Sequence, residues 1–595
     1  LVFLMYILIG KKFFGGIYMK HKNLRNSLAA AVFIVASGIS IAVMAACSKP
    51  KALPDGTFSG RADGRNGAIE IAFSVKDGKI TSTEILKEEE TDFAKPAIKS
   101  ILEKFASTGK AAGIDTVSGA TITSKATLAA LENAINSARG KKSEQTEYKD
   151  TSCDIVIIGA GGAGLSAATE AASKGAKVIV LEKMGNAGGN TISATGGLNA
   201  SETSIQKKLG IQDTNEQFFE DTMKGGHYKN NPELVRNMTE KSAETVDWLI
   251  SIGADLTDVG KMAGSTNKRT HRPQGGAAVG SNLIPALEKA ALNSGAKIRY
   301  SNKVLDIIEK DGRAAGVKVC AGSSEYTISA KAVIIATGGF GANPQMVVSY
   351  KPELEGFGTT NHKGATGDAF SWIKKFKAGL TQMEEIQTHP TVVPGNGTMI
   401  TEAVRGNGAI LVNRDGKRFC TEMATRDVMS KAILAQKGKT AFLVFDQDVR
   451  ESLKAIETYI KNGLITQGET AKELAEKLGI PADEFEKTMA DYAQIQKSGN
   501  DPLGRKTSEM PRPLTKAPFY AVEVGPAVHH TMGGITINTK AQVLDTDKNP
   551  VPGLYAAGEV TGGIHGANRL GGNAVADICI YGKIAADTAL EEIKK

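Results

Sequence analysis

Three short runs, Ile386-Gln-Thr-His389-Pro, Thr401-Glu402-Ala-Val-Arg405 and Thr425-Arg426-Asp427, bring a histidine, a threonine, a carboxylate and two arginines into one stretch of the chain. Hydroxyl, imidazole and guanidinium donors fix carboxylates through charge-assisted hydrogen bonds, and an acid beside them can complete a reduction by delivering a proton. Such a set can hold a small dianion and protonate it. A late stretch, Val528-His529-His530-Thr-Met-Gly-Gly and then His565-Gly-Ala-Asn-Arg569, offers the same donor types again. Any one of these residues is an ordinary polar group; the combination is what points to a site.

The elements that must position this set begin far upstream. Cys153-Asp-Ile-Val-Ile-Ile-Gly159 reads as a buried parallel strand, Gly159-Ala-Gly161-Gly-Ala163-Gly164 opens an alanine-rich helix, and Val178-Ile-Val-Leu-Glu182 is a second strand ending in an acid. A GxGxxG run in that setting binds a dinucleotide: glycines let the backbone approach the pyrophosphate, and the acid takes a ribose hydroxyl. Glycine-flanked turns return to the same place from across the chain, at Gly188-Gly189-Asn190-Thr191, Gly196-Gly197, Ala336-Thr337-Gly338-Gly339 and Gly553–Gly558-Glu559. A nicotinamide domain is normally contiguous, so the dispersed pattern favours FAD.

Residues 384–528 interrupt this domain with strand and helix patterns of their own, including Ala441-Phe-Leu-Val-Phe-Asp446 and the amphipathic Thr470–Lys477. Proline-rich turns (Pro390, Pro394; Pro511, Pro513, Pro518) bound the segment, and a mobile cap hinged there is expected. Upstream, an Asp-Gly turn within alternating strands and two helical patterns, Ala97–Phe105 and Lys125–Ala138, predict a small α+β unit. Between its helices lies Ser118-Gly-Ala-Thr121-Ile-Thr123-Ser124, a small-residue loop before a helix N-terminus that would welcome a phosphate, although a plain N-cap explains Thr123 or Ser124 equally well.

Length predicts roughly three to four domains. A hydrophobic fraction of 41% and a charged fraction of 23% are those of an ordinary globular protein. The net charge of +8 is misleading, because residues 1–46 hold Lys11, Lys12, Lys20, Lys22 and Arg25 and no acid, leaving +3 for the remainder. Without long runs of like charge, nucleic-acid binding is not expected. The five cysteines show no CxxC, CxxCH or metal-ligand spacing, so neither haem attachment nor a metal site is expected. Cys47 follows a basic segment, an apolar run from Leu28 to Val43 and Met44-Ala-Ala. The arrangement resembles a bacterial lipoprotein signal, with an uncleaved anchor or simple secretory signal as alternatives. Each places the remainder outside the cytoplasmic membrane.

The Ser118–Thr121 motif is similar to that of the FMN-binding domains of sodium-pumping quinone reductase subunits. That resemblance implies FMN in phosphoester linkage to Thr121, attached by a flavin transferase. From about residue 151 onward the chain resembles soluble fumarate reductases of the flavocytochrome c type, within the succinate dehydrogenase/fumarate reductase flavoprotein family. The resemblance implies that Ala163, Glu182, Asn190, Thr191, Gly196, Asp368, His530, Glu559, Ala574 and Val575 line a non-covalent FAD, together with Gly159, Gly161 and Gly164. It implies that His389 and Thr401 hold one carboxylate of fumarate and His529 and Arg569 the other, with Gly196, Glu402 and Gly572 also against the substrate. Arg426 then protonates the carbon next to the one receiving hydride, resupplied through Glu402 and Arg405; a purely electrostatic Arg426 with water as acid is the alternative.

The expected architecture is α/β: a doubly wound FAD-binding domain (151–383 and 529–595) with an inserted α+β capping domain (384–528), preceded by a small α+β FMN-binding domain (55–140). Residues 1–46 are read as the signal, and 47–54 and 141–150 as linkers. The FMN unit stands where flavocytochromes carry haem, so electrons are expected to run from a quinol- or flavin-linked membrane or surface donor through FMN and FAD to fumarate. A related 2-enoate reductase acting on urocanate, acrylate- or cinnamate-type acids, and a lipid-anchored flavin electron shuttle, are the competing readings.

Overall fold

The computed structural model describes residues 53–90, 94–140, 148–395 and 397–594. The expected signal segment, Cys47 and most of both linkers lie outside the described residues.

The N-terminal unit is a three-stranded antiparallel sheet, Gly56–Asp63, Ala68–Lys76 and Lys79–Lys87, under the helices Lys95–Thr108 and Thr121–Ala138. Alternation in the central strand buries Ile69, Ile71, Phe73 and Val75 against the helices. Asp77 and Gly78, with φ of 52° and 70°, form the tight turn of the second hairpin. Gly60 lets the second helix sit directly on the first strand: a Cβ there would lie 2.2 Å from the Ala130 carbonyl oxygen. That helix begins at Thr121 itself, four residues before its expected start.

The second unit is built on an eight-stranded sheet whose parallel run is Lys297–Arg299, Val178–Leu181, Thr151–Ile158, Ser324–Ile335 and Pro550–Ala556. Strands buried on both faces explain the continuous Val/Ile runs in the sequence. The glycines of the GxGxxG run divide the work. Gly159 (φ 106°) passes within van der Waals reach of the Ala336 carbonyl, and a Cβ on Gly164 would lie 1.9 Å from the Gly159 oxygen. Gly164 therefore packs helix Gly162–Ser173 onto its strand and does not line the cofactor cavity, contrary to its expected binding role.

The inserted segment forms a five-stranded sheet in the order Ile386–Val392, Phe519–Thr531, Ala441–Asp446, Ile410–Val412, with Thr466–Gly468 also paired to Phe519–Thr531. Its long strand crosses the expected boundary at 528/529: Tyr520, Ala521, Val522 and Val524 enter the core of the inserted domain, and Val528 that of the FAD-binding domain. Pro390 lies inside the edge strand Ile386–Val392, at a register shift between His389 and Val392, and is not part of a hinge turn. A proline on an edge strand at a bulge leaves no ladder partner without its N–H.

Candidate active site

A trench runs through the FAD-binding domain and continues between it and the inserted domain. Its two chambers share Asn190, Thr191, His362, Glu559 and Ile578. One is walled by Gly159, Gly161, Ala163, Glu182 and Asp368, the other by Gly196, His389, Thr401, Glu402, Arg426, His529, His530, Arg569, Gly572, Ala574 and Val575. At Gly161 and Gly189 an added Cβ would meet nothing closer than 3.9 Å, so side chains there would project into the trench. Glu182 accepts the backbone N–H groups of Ala160 and Met184, each at 2.9 Å, and burial pushes its carboxyl up. His530 keeps a buried Nδ1 without a partner. An open glycine cradle at the N-terminus of a 12-residue helix, a buried acid and an unsatisfied polar atom in the second chamber fit a dinucleotide flavin. No group of His, Cys, Asp or Glu side chains among the described residues is placed to hold a metal ion.

The charged residues meet in the second chamber. Arg426 opens helix Arg426–Leu434 and donates from Nε to Glu402 Oε1 at 2.6 Å and from a terminal nitrogen to Gln387 Oε1 at 3.1 Å. Arg569 reaches the same Gln387 oxygen at 3.3 Å and leaves its buried Nε without a partner. Thr401 caps the short helix Glu402–Gly406 and faces the chamber. Arg405, on that helix, does not line the chamber; it stands behind Glu402 at 3.8 Å and donates to the Glu422 carbonyl at 2.7 Å.

Sheet register aims the histidines. Gln387 pairs with His530 and Thr388 with Val528, so His529 is the extra residue of a bulge, a device that redirects a side chain. Its Nδ1 meets the Thr360 hydroxyl at 2.6 Å, and its ring lies edge-to-face with His389 at 5.1 Å. The Thr391 N–H donates to His389 Nδ1 at 3.3 Å, which leaves Nε2 as the proton-bearing nitrogen, 3.8 Å from Glu402. The long strand shared by both domains thus carries His529 next to His389 on the neighbouring strand.

Burial, reinforced by Arg426, holds His389 and His529 well below the usual imidazole range, and burial with Arg569 does the same to His530. They are neutral hydrogen-bond donors before an anion arrives. Burial also lowers Arg569, to about 9, with Arg426 adding repulsion. Burial alone would raise Glu402, but Arg426 and Arg405 hold it at about 2, below its ordinary 4.5. Because the folded value is the lower one, the stability gained from this carboxylate is complete above about pH 4.5 and lost as pH falls toward 2. In acid titrations of the melting temperature, wild type should lose its advantage over Glu402→Gln as pH falls below 4.5; parallel curves would contradict the pairing.

Residues 154–575 match the FAD-binding domain family and residues 64–136 the FMN-binding domain family. Over 444 residues the chain is 46% identical to the fumarate reductase (cytochrome) of Shewanella frigidimarina, covering 74% of this chain and 78% of that one. The chain belongs to the fumarate reductase flavoprotein family. It is 44% identical over 486 residues to the NADH:fumarate oxidoreductase of Klebsiella pneumoniae, covering 81% of this chain but spanning only 52% of that longer protein. It is 34% identical over 559 residues to the urocanate reductase of Eggerthella lenta, covering 89% and 92%. Its fold superposes on the open conformation of a flavocytochrome c3 fumarate reductase with a TM-score of 0.66, at 37% identity, over 81% of this chain and 85% of that one.

The chain is thus a flavin-dependent oxidoreductase with an FAD-binding and an FMN-binding domain. In the latter, Thr121 is exposed at the first position of its helix, beside Gly119 (φ 85°), with open space around the glycine. Neither Thr123 nor Ser124 is the N-cap: Thr123 donates to Glu90, and Ser124 Oγ accepts the Val117 N–H at 3.0 Å. Sequence reasoning missed Gln387. Its amide donates to Asn568 Oδ1 at 2.6 Å and to the Arg569 carbonyl at 2.9 Å, which fixes the oxygen that both arginines share. Its place two residues before His389, on one strand face, was the available signal. Gln387→Leu should lower kcat about tenfold with a smaller change in KM, because what is lost is the aim of Arg426; a change in KM alone would contradict that role.

Proposed function

We propose that the protein reduces fumarate to succinate outside the cytoplasmic membrane, held there as a lipoprotein through Cys47 and fed by a quinol- or flavin-linked donor through FMN on Thr121. The supporting observation is the convergence of Arg426 and Arg569 on Gln387, with Glu402 the carboxylate that pairs with Arg426 there. Such a surplus of buried cation favours an anion, and donors on both sides of the chamber, His389 with Thr401 and His529 with Arg569, suit one with two carboxylates. Bound FAD would lie along Gly161, Ala163 and Glu182 toward His530 and Val575, and it supplies the hydride.

The chain's own residues do the rest. His529 and Arg569 take one carboxylate and His389 and Thr401 the other, all as donors, so the diacid is fixed at two ends. Arg426 gives a proton to the carbon beside the one that receives hydride. A guanidinium is a reluctant acid. It serves here because the acceptor is carbanion-like and the Glu402 carboxylate, 2.6 Å from Arg426 and 3.8 Å from Arg405, relays a replacement proton from Arg405, which is reprotonated from solvent.

Urocanate reduction is the second reading, favoured by a relative that matches over 89% of this chain and 92% of its own length. Presence of both His389 and Thr401 in the chamber weighs against it, since a monoacid leaves that half of the grip without a charge to hold. Reoxidation of dithionite-reduced protein should be much faster with fumarate than with urocanate or acrylate. Equal rates across the three acids would remove the fumarate assignment.

A further inference from the structure

The FMN-binding unit meets the FAD-binding domain through the turn Asp63-Gly64-Arg65-Asn66-Gly67, which joins its first two strands. Arg65 donates to Ser193 Oγ at 2.8 Å, the Asn186 amide donates to the Gly64 carbonyl at 3.0 Å, and the Ser301 hydroxyl donates to the Asp63 carboxylate. Beside the turn, Lys363 Nζ donates to the Glu89 carbonyl at 3.1 Å. Gly185 shows how closely the surfaces fit. Its φ lies outside the left-handed region, so the backbone there does not require glycine; a Cβ would lie 2.2 Å from Asp63 Cβ. The approach of Asp63 is what excludes a side chain.

The turn reaches both flavin sites. Arg65 and Asn66 line the same chamber as Glu402, Arg426 and Arg569. In the other direction, the Asn66 N–H donates to Glu90 Oε1 at 2.9 Å, and the second oxygen of this buried carboxylate accepts the Thr123 hydroxyl. Two hydrogen bonds thus connect a chamber-lining residue to the first turn of the helix that begins at Thr121.

We propose that the Asp63–Gly67 turn is a docking key for electron transfer: seated against Gly185, Ser193 and Ser301, it holds the FMN-bearing helix at the mouth of the FAD chamber. The inference rests on the FMN-to-FAD route of the proposed function. In that step reduced FMN loses two electrons and two protons, FAD gains two of each, and the protons exchange with solvent.

The test uses the full chain with both flavins. Fully reduced protein is mixed with fumarate, and reoxidation of the two flavins is followed by absorbance, with hydrogen exchange of segments 63–67 and 184–193 as a second readout. Gly185→Leu and Asp63→Lys should leave the FAD phase unchanged, slow the FMN phase about tenfold or more because an undocked unit is supplied only at the concentration its linker allows, and raise exchange at both segments. Asp63→Lys with Ser301→Asp should restore both readouts by reversing the pair. Fast exchange at both segments in the parent protein, or an FMN phase that Gly185→Leu does not slow, would overturn the dock. Failure of the underlying route looks different: the parent protein would carry no FMN, or fumarate would not reoxidise its FAD.

Discussion

Arg426→Ala is expected to lower fumarate turnover about a thousandfold while both flavins stay bound. Several roles converge on this side chain. Its Nε is 2.6 Å from Glu402, its terminal nitrogen 3.1 Å from Gln387, and it opens a helix facing the trench. Removing it takes away the proposed proton donor and the larger of the charges that keep Glu402 ionised, so burial pushes that carboxyl up against Arg405 and Arg569. Because loss of charge alone would also hurt, Arg426→Lys is the informative companion. Lysine keeps a cation but cannot reach Glu402 and Gln387 together with a planar fork, so it should recover little of kcat and more of substrate binding. Recovery of most of kcat by lysine would favour the electrostatic reading with water as the acid.

Thr121→Ala is expected to remove FMN completely, read as the loss of the flavin increment from the intact mass, and with it nearly all turnover driven by the physiological donor. Turnover driven by a small dye able to reduce FAD directly should persist, because Thr121 lies in a separate sheet-and-helix unit with its own core. Retention of FMN in Thr121→Ala would place the attachment elsewhere, and Ser118, exposed in the same loop, would be the next residue to replace.

Features that depend on local chain geometry were legible in the sequence. The strand–glycine–helix run at 153–164 and the acid at Glu182 are fixed by contacts within one βαβ unit, and the strand Ala441–Asp446 lies where its apolar run predicts. His389, Thr401, Glu402, Arg426, His529 and Arg569 come together in one chamber. What could not be read depends on register between distant strands. The bulge that aims His529 arises only when Phe519–Thr531 pairs with Ile386–Val392, and Gln387 gains meaning only once that pairing brings Arg426 and Arg569 to its oxygen. Gly185 reads as a loop glycine until Asp63 from another domain is placed against it. Pro390 reads as a turn, whereas an edge strand with a bulge accommodates it.

The most direct measurement is a structure of the protein with FAD and a four-carbon diacid bound. One carboxylate should lie at His529 and Arg569, the other at His389 and Thr401, with the central carbons beside the Arg426 guanidinium. A diacid bound by one carboxylate only, or with its central carbons away from Arg426, would contradict the account.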